Sequence, residues 1–177
     1  MHFRIPVISI VGRGGSGRTT LLEGLISLLA ARGWRVATAK HHVHETDIDV
    51  PGKDTWRHER AGALVTMVSG PNRLGVFRRV DRERTLAELV DTAGDVDILL
   101  TEGFRNSSPV LVEVVRAERS TEPLCDLKDL FAVCTDVPAL ASEHSRSFGP
   151  NDAAGLARVV EEEFLPGRAA DLGKEGS

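Results

Sequence analysis

Residues 12–20 read GRGGSGRTT. Gly12, Gly14, Gly15 and Gly17 free the backbone of Cβ atoms where successive N–H groups must turn inward on one anion. The spacing from Gly12 to Gly17, with Thr19 two residues on, is that of a loop that cradles polyphosphate. Ser16 and Thr20 add hydroxyls to the same turn, and Thr19 supplies the one such a loop offers to Mg²⁺. The position where the pattern has lysine holds Arg18. A guanidinium is planar, longer and more weakly hydrated than an ammonium. The cradle itself is mostly backbone, so binding should survive the exchange while stabilisation of charge at a terminal phosphate suffers. Were Arg18 to turn outward, the loop would be a relic without nucleotide.

A metal-nucleotide site also needs carboxylates at the carboxyl ends of the strands. Glu102 follows the apolar run ILLT, and Gly103 beside it permits close approach. Asp47 and Asp49 follow the second predicted strand, whereas Asp97 is near the start of its own strand and belongs at the opposite end. Thr19, Asp49 and Glu102 therefore form a candidate oxygen set for one Mg²⁺, with Arg18 and Glu102 the side chains nearest the chemistry. The plain alternatives are a solvated acidic loop for Asp49 and a helix cap for Glu102. His41, His42, His44 and His58 are open to zinc ligation, to anion contact or to simple surface exposure. No cysteine accompanies them, and the i, i+1, i+3 spacing fixes no metal geometry.

The elements that must hold these groups are readable from periodicity. Residues 5–11 are a short apolar, β-branched run without polar alternation, as expected of a strand covered on both faces. Leu21, Leu22, Leu25, Ile26, Leu28 and Leu29 recur at helical spacing over 19–32, and Gly33 closes that helix. With a strand over 34–40 this makes one βαβ unit with a right-handed crossover. The polar stretch 41–55 is long for an idle loop. Beyond it the pattern predicts a short helix capped by Asp54, a hairpin from strands at 63–68 and 74–80 about Pro71-Asn72, and a helix over 85–92. Further strands are expected at 96–101, 110–115 and 130–134, and a final helix runs over 152–164, capped by Asn151 or Asp152. Residues 167–177 have the composition of a disordered tail.

Bulk properties bound the rest. The chain has 177 residues, ordinary apolar and charged fractions and a net charge of −4, so no global basic field draws it to nucleic acid or anionic membrane. Cys125 and Cys134 form no metal or disulfide framework, and the N-terminal apolar run is too short for a spanning helix and lacks a cleavage site. A cytoplasmic protein of one domain over 1–166 is the expectation, with a hairpin extension over about 69–80.

Taken together, GRGGSGRTTLLEGL, the segment DIDVPGKDT (47–55), EGFR (102–105) and EVVR (113–116) resemble the molybdopterin-guanine dinucleotide biosynthesis protein B family, MobB, over roughly residues 5–136. The 47–55 segment is the most specific part. The resemblance implies an α/β, P-loop NTPase-like three-layer sandwich with a mostly parallel central sheet. It implies GTP and Mg²⁺ as ligands, the molybdenum cofactor as a further ligand, and a homodimer. The nucleotidyl transfer itself would belong to a MobA-family partner, and molybdoenzyme apoproteins are a further class of partner. Arg18 departs from the family pattern and puts hydrolysis in doubt. No N-K-x-D base-reading motif is present, although Asp136 falls where its acidic residue would sit, positioned to accept from guanine. Arg13 occupies a position from which a basic residue in a related dimeric class reaches the partner's nucleotide. Two rival readings stay open: an ATP-dependent ligase or small-molecule kinase, and a non-catalytic pterin-binding delivery module.

Overall fold

The computed structural model describes residues 3–41 and 48–165. In chain order the elements are β1 (Val7–Gly12), α1 (Arg18–Ala31), β2 (Val36–Lys40), α2 (Asp54–Arg60), β3 (Val65–Ser69), β4 (Leu74–Arg78) and α3 (Leu86–Ala93). They continue with β5 (Ile98–Glu102), β6 (Val110–Val115), β7 (Ala132–Thr135), α4 (Pro138–Glu143), β8 (Ser147–Phe148) and α5 (Ala153–Phe164). Two compact units divide them: residues 1–41 with 86–177, and residues 42–85.

The first unit is built on a six-stranded parallel sheet in the order β2-β5-β1-β6-β7-β8. Side chains alternate across a strand, so β1 serves both faces. Ile8 and Ile10, with Ile98, Leu100, Val112 and Val114, pack under Leu21, Leu25 and Leu29 of α1 and Leu156 and Val160 of α5. Val7 and Leu99 face the other way, against Leu86 and Val90 of α3. Helices on both faces of a parallel sheet give the three-layer α/β sandwich. Because β1 lies between β5 and β6, with Ile10 opposite Glu102 and Gly12 opposite Val114, three carboxyl strand ends converge where the 12–20 loop begins.

The second unit carries α2 and the antiparallel pair β3–β4, a sheet of two strands only. The hairpin strands lie close to the expected 63–68 and 74–80, with the β-branched pair Val65-Thr66 in the ladder opposite Arg78 and Phe77.

Local departures from expectation have local causes. Asp54 is the first residue of α2 rather than its cap, and Lys53 holds the cap position without a side-chain bond. Asp152 does cap α5, accepting from the Gly155 N–H at 2.8 Å. Leu130 closes a 3₁₀ turn at Leu127–Asp129, so β7 starts two residues late. Helix α4 and the two-residue edge strand β8 were not foreseen. No helix among the described residues is long and apolar enough to cross a membrane.

Candidate functional site

The loop leaving β1 is shaped by close approach. Gly12 has φ +146°, and a Cβ there would lie 2.5 Å from the Val114 carbonyl oxygen and 2.8 Å from Ser16 Oγ. Gly17, at φ 92°, is the cap of α1, and a Cβ on it would meet the Arg116 Nε at 3.2 Å. The cap brings no side-chain acceptor, and the first turn of α1 carries no carboxylate. The leading N–H groups and the positive end of the helix dipole are thus left to an external anion. Ser16 is 1% exposed, and its Oγ has no hydrogen-bond partner. An orphaned hydroxyl and, at Gly12, a backbone position that leaves no room for a Cβ are features of a phosphate cradle, and the residues present fit that group.

Glu102 forms the acidic side of the site. It ends β5 and is only 7% exposed. Thr19 Oγ1 donates to its Oε2 at 3.0 Å, Arg18 reaches Oε1 at 3.6 Å, and Lys40 Nζ stands 3.7 Å from the same Oε1. Arg18 therefore turns inward onto the carboxylate. The strand end is pinned from both sides: His41 N donates to the Glu102 carbonyl at 2.9 Å, and Gly103 N to the Ile10 carbonyl at 3.0 Å. Thr19 and Glu102 would hold a Mg²⁺ ion, with Asp97 excluded by its place at the far end of β5, where it binds Arg35 through backbone and guanidinium.

Three supports went unread in the sequence. Arg116, one residue beyond β6, donates from Nε to the Ser16 carbonyl at 3.1 Å and from a terminal nitrogen to Asn151 Oδ1 at 2.6 Å, bracing the loop against the start of α5. Arg119 packs over Gly15, whose absent Cβ would sit 3.0 Å from its Nε. Glu113, 1% exposed on β6, accepts from the N–H groups of Leu124 (2.5 Å) and Cys125 (3.0 Å) and so folds the segment after β6 back. The EVVR string is the sequence trace of this arrangement, with Glu113 and Arg116 its working members. The thiols lie outside the chemistry: burial pushes Cys134 up to about 12, and burial together with the Glu113 charge pushes Cys125 up to about 11.

The remaining candidates are more dispersed. Gly14, Gly15 and Thr20 are exposed at the loop and first turn, as is Arg13, which lines a small cleft with Ser16, Arg116 and Arg119. Asp136 is exposed after β7, and its Oδ1 accepts from Ala117 N at 2.8 Å, which leaves Oδ2 the oxygen more open to a base. Asp49 belongs to the second unit; its Oδ1 accepts from Val50 N at 2.7 Å, while Oδ2 is buried without a partner. The His41 ring packs on Phe104 at 4.9 Å, and His58 is exposed on α2. Asp47, His42 and His44 lie outside the described residues. No group of three histidine, cysteine or acidic side chains is gathered for a metal among the described residues.

Comparison with known proteins places the fold in a known family. A family model described as molybdopterin guanine dinucleotide synthesis protein B (MobB) matches residues 7–136. The molybdopterin-guanine dinucleotide biosynthesis adapter protein of Escherichia coli is 34% identical over 165 residues, 89% of this chain and 93% of its own. Its namesake from Haemophilus influenzae is 33% identical over 141 residues, covering 78% and 79%. The crystal structure of Bacillus subtilis MobB superposes with a TM-score of 0.73 at 26% identity, over 90% of this chain and 98% of that one. With a family model spanning most of the chain and a relative aligned over nearly its whole length, this chain belongs to the MobB family.

Proposed function

We propose that this protein binds GTP with Mg²⁺ and acts as an adapter in the formation of molybdopterin guanine dinucleotide in the cytoplasm. The observation that carries the proposal is the convergence of Thr19, Arg18 and Glu102 at the mouth of a glycine cradle. Residues 12–20 wrap the phosphates through backbone N–H groups and the α1 terminus. Thr19 and Glu102 provide oxygens for the metal. Bound Mg²⁺ would offset charge on the phosphate oxygens. Arg18 contributes charge, but its fork replaces the compact ammonium of a fast NTPase, so hydrolysis is slow or absent. Asp136 contributes to guanine preference through its free oxygen.

The role named for the relatives, an adapter in molybdopterin-guanine dinucleotide biosynthesis, supports delivery or partner contact rather than turnover. The protein therefore works with a MobA-family nucleotidyltransferase and with molybdoenzyme apoproteins, and takes the molybdenum cofactor as a second ligand. A homodimer is part of the reading. It is supported by the apolar surface of the hairpin unit, where Met67, Leu74 and Val76 are exposed on a two-stranded sheet with both edges open. Arg13, exposed and basic, is then available to the second copy's nucleotide.

Calorimetric titration tests the core of this reading. GTP should bind in the presence of Mg²⁺, more tightly than ATP and more weakly once the metal is chelated. Failure of both nucleotides to bind at millimolar concentration would overturn it.

A further inference from the structure

We propose that Lys40 is the residue that delivers an ammonium to the terminal phosphate of the bound nucleotide, the contact for which position 18 offers only a guanidinium. The assignment rests on the nucleotide-binding reading above and deepens it. Three observations point to Lys40. It is the last residue of β2 and stands in register with Glu102 on the neighbouring strand, so both side chains leave the sheet at the same carboxyl edge. Its Nζ lies 3.7 Å from Glu102 Oε1, the oxygen that Arg18 approaches at 3.6 Å. Finally, the Lys40 side chain is 64% exposed beside a carboxylate that is 9% exposed, so the ammonium sits at the rim with room to move.

The balance of charge favours a mobile lysine. One carboxylate cannot satisfy two cations, and the cluster of Arg18, Lys40 and Glu102 carries a surplus positive charge directed at the mouth of the cradle. Were Thr19 and Glu102 to hold a divalent ion, the carboxylate would face a stronger charge and would keep Arg18 and Lys40 less firmly. Arg18 is anchored in the first turn of α1, and its guanidinium needs a planar, forked approach. Lys40 is a point charge on a flexible four-carbon stem, and no other ion pair holds it among the described residues. Thr19 and Glu102 would hold the metal at the mouth of the cradle, and the Lys40 side chain leaves the sheet at that same edge, its ammonium 3.7 Å from Glu102 Oε1. Glu102 thus parks the lysine when the site is free of metal and nucleotide, and releases it when they bind.

Because the contact is to the last phosphate, it discriminates between GTP and GDP. Lys40→Met keeps the stem and removes the charge, and the exposed position leaves the fold intact, which circular dichroism of the variant checks. With Mg²⁺ present, Lys40→Met should weaken GTP roughly tenfold or more, the loss of one charge-assisted hydrogen bond. GDP should weaken by less than about threefold on the same basis, and Lys40→Arg should recover part of the GTP affinity. Equal losses for GTP and GDP, or no loss for either, would overturn the assignment and return Lys40 to a rim ion pair. Wild-type protein that binds neither nucleotide would overturn the nucleotide reading itself, a result separate from any behaviour of the variants.

Discussion

The two units of the chain solve opposite problems. In the first, β1 is buried at all six positions and its neighbours close over it, so the sheet completes its own core. In the second, Ile48, Val50, Leu64, Met67, Val68, Leu74, Val76 and Val80 are all exposed, whereas the first unit exposes no large apolar side chain among its described residues. On the hairpin, Met67 and Val76 stand opposite each other with Leu74 on the same face, an apolar strip of the kind natural sheets cover. The first unit presents a constrained glycine loop, and the second presents exposed apolar surface. The proposed function assigns binding to the first and association to the second.

The contrast predicts how substitutions should fall. Gly12→Ala places a Cβ 2.5 Å from the Val114 carbonyl at a backbone angle alanine rarely adopts. It should destabilise the protein by about 2–4 kcal/mol in urea denaturation and abolish nucleotide binding. Gly75→Ala on β4 meets nothing nearer than 4.0 Å and should change stability by less than about 1 kcal/mol. Comparable losses in the two variants would remove the distinction between a rigid cradle and a permissive hairpin.

Legibility in the sequence tracks the range of the forces involved. The β1–loop–α1 segment could be read directly, since an apolar run, a glycine turn and a leucine period are all local signals. Asp152 was readable as a cap for the same reason. Helix α4 was missed because it spans only Pro138–Glu143, too short to show a period, and β8 has two residues at a sheet edge. The site divides in the same way. Glu102 was found because it ends an apolar strand. Lys40 was not, because only the register of β2 against β5 brings it to Glu102, across 62 residues of chain. Arg116 was seen only as part of a family string, since its bond to the Ser16 carbonyl bridges 100 positions.

A smaller effect probes the second unit. Leu74→Asp adds charge to the hairpin's exposed apolar strip without touching the first unit's core. If the proposed homodimer forms through this strip, sedimentation velocity should show a shift toward monomer, while GTP affinity per chain changes by less than about threefold. An unchanged sedimentation coefficient would remove the hairpin from the homodimer interface.

The central claim is that Thr19 and Glu102 turn a glycine cradle into a metal-nucleotide site, and the Mg²⁺ dependence of GTP affinity in wild type and Glu102→Ala tests it most directly. Glu102 lies at the edge of the cradle and touches it through side chains only, so the variant should keep its fold and much of its metal-free affinity. Its affinity with Mg²⁺ should fall roughly ten- to a hundredfold, the loss of a charge-assisted contact of about 1.5–3 kcal/mol. Wild type and Glu102→Ala binding GTP equally well, with the same response to Mg²⁺, would contradict the account.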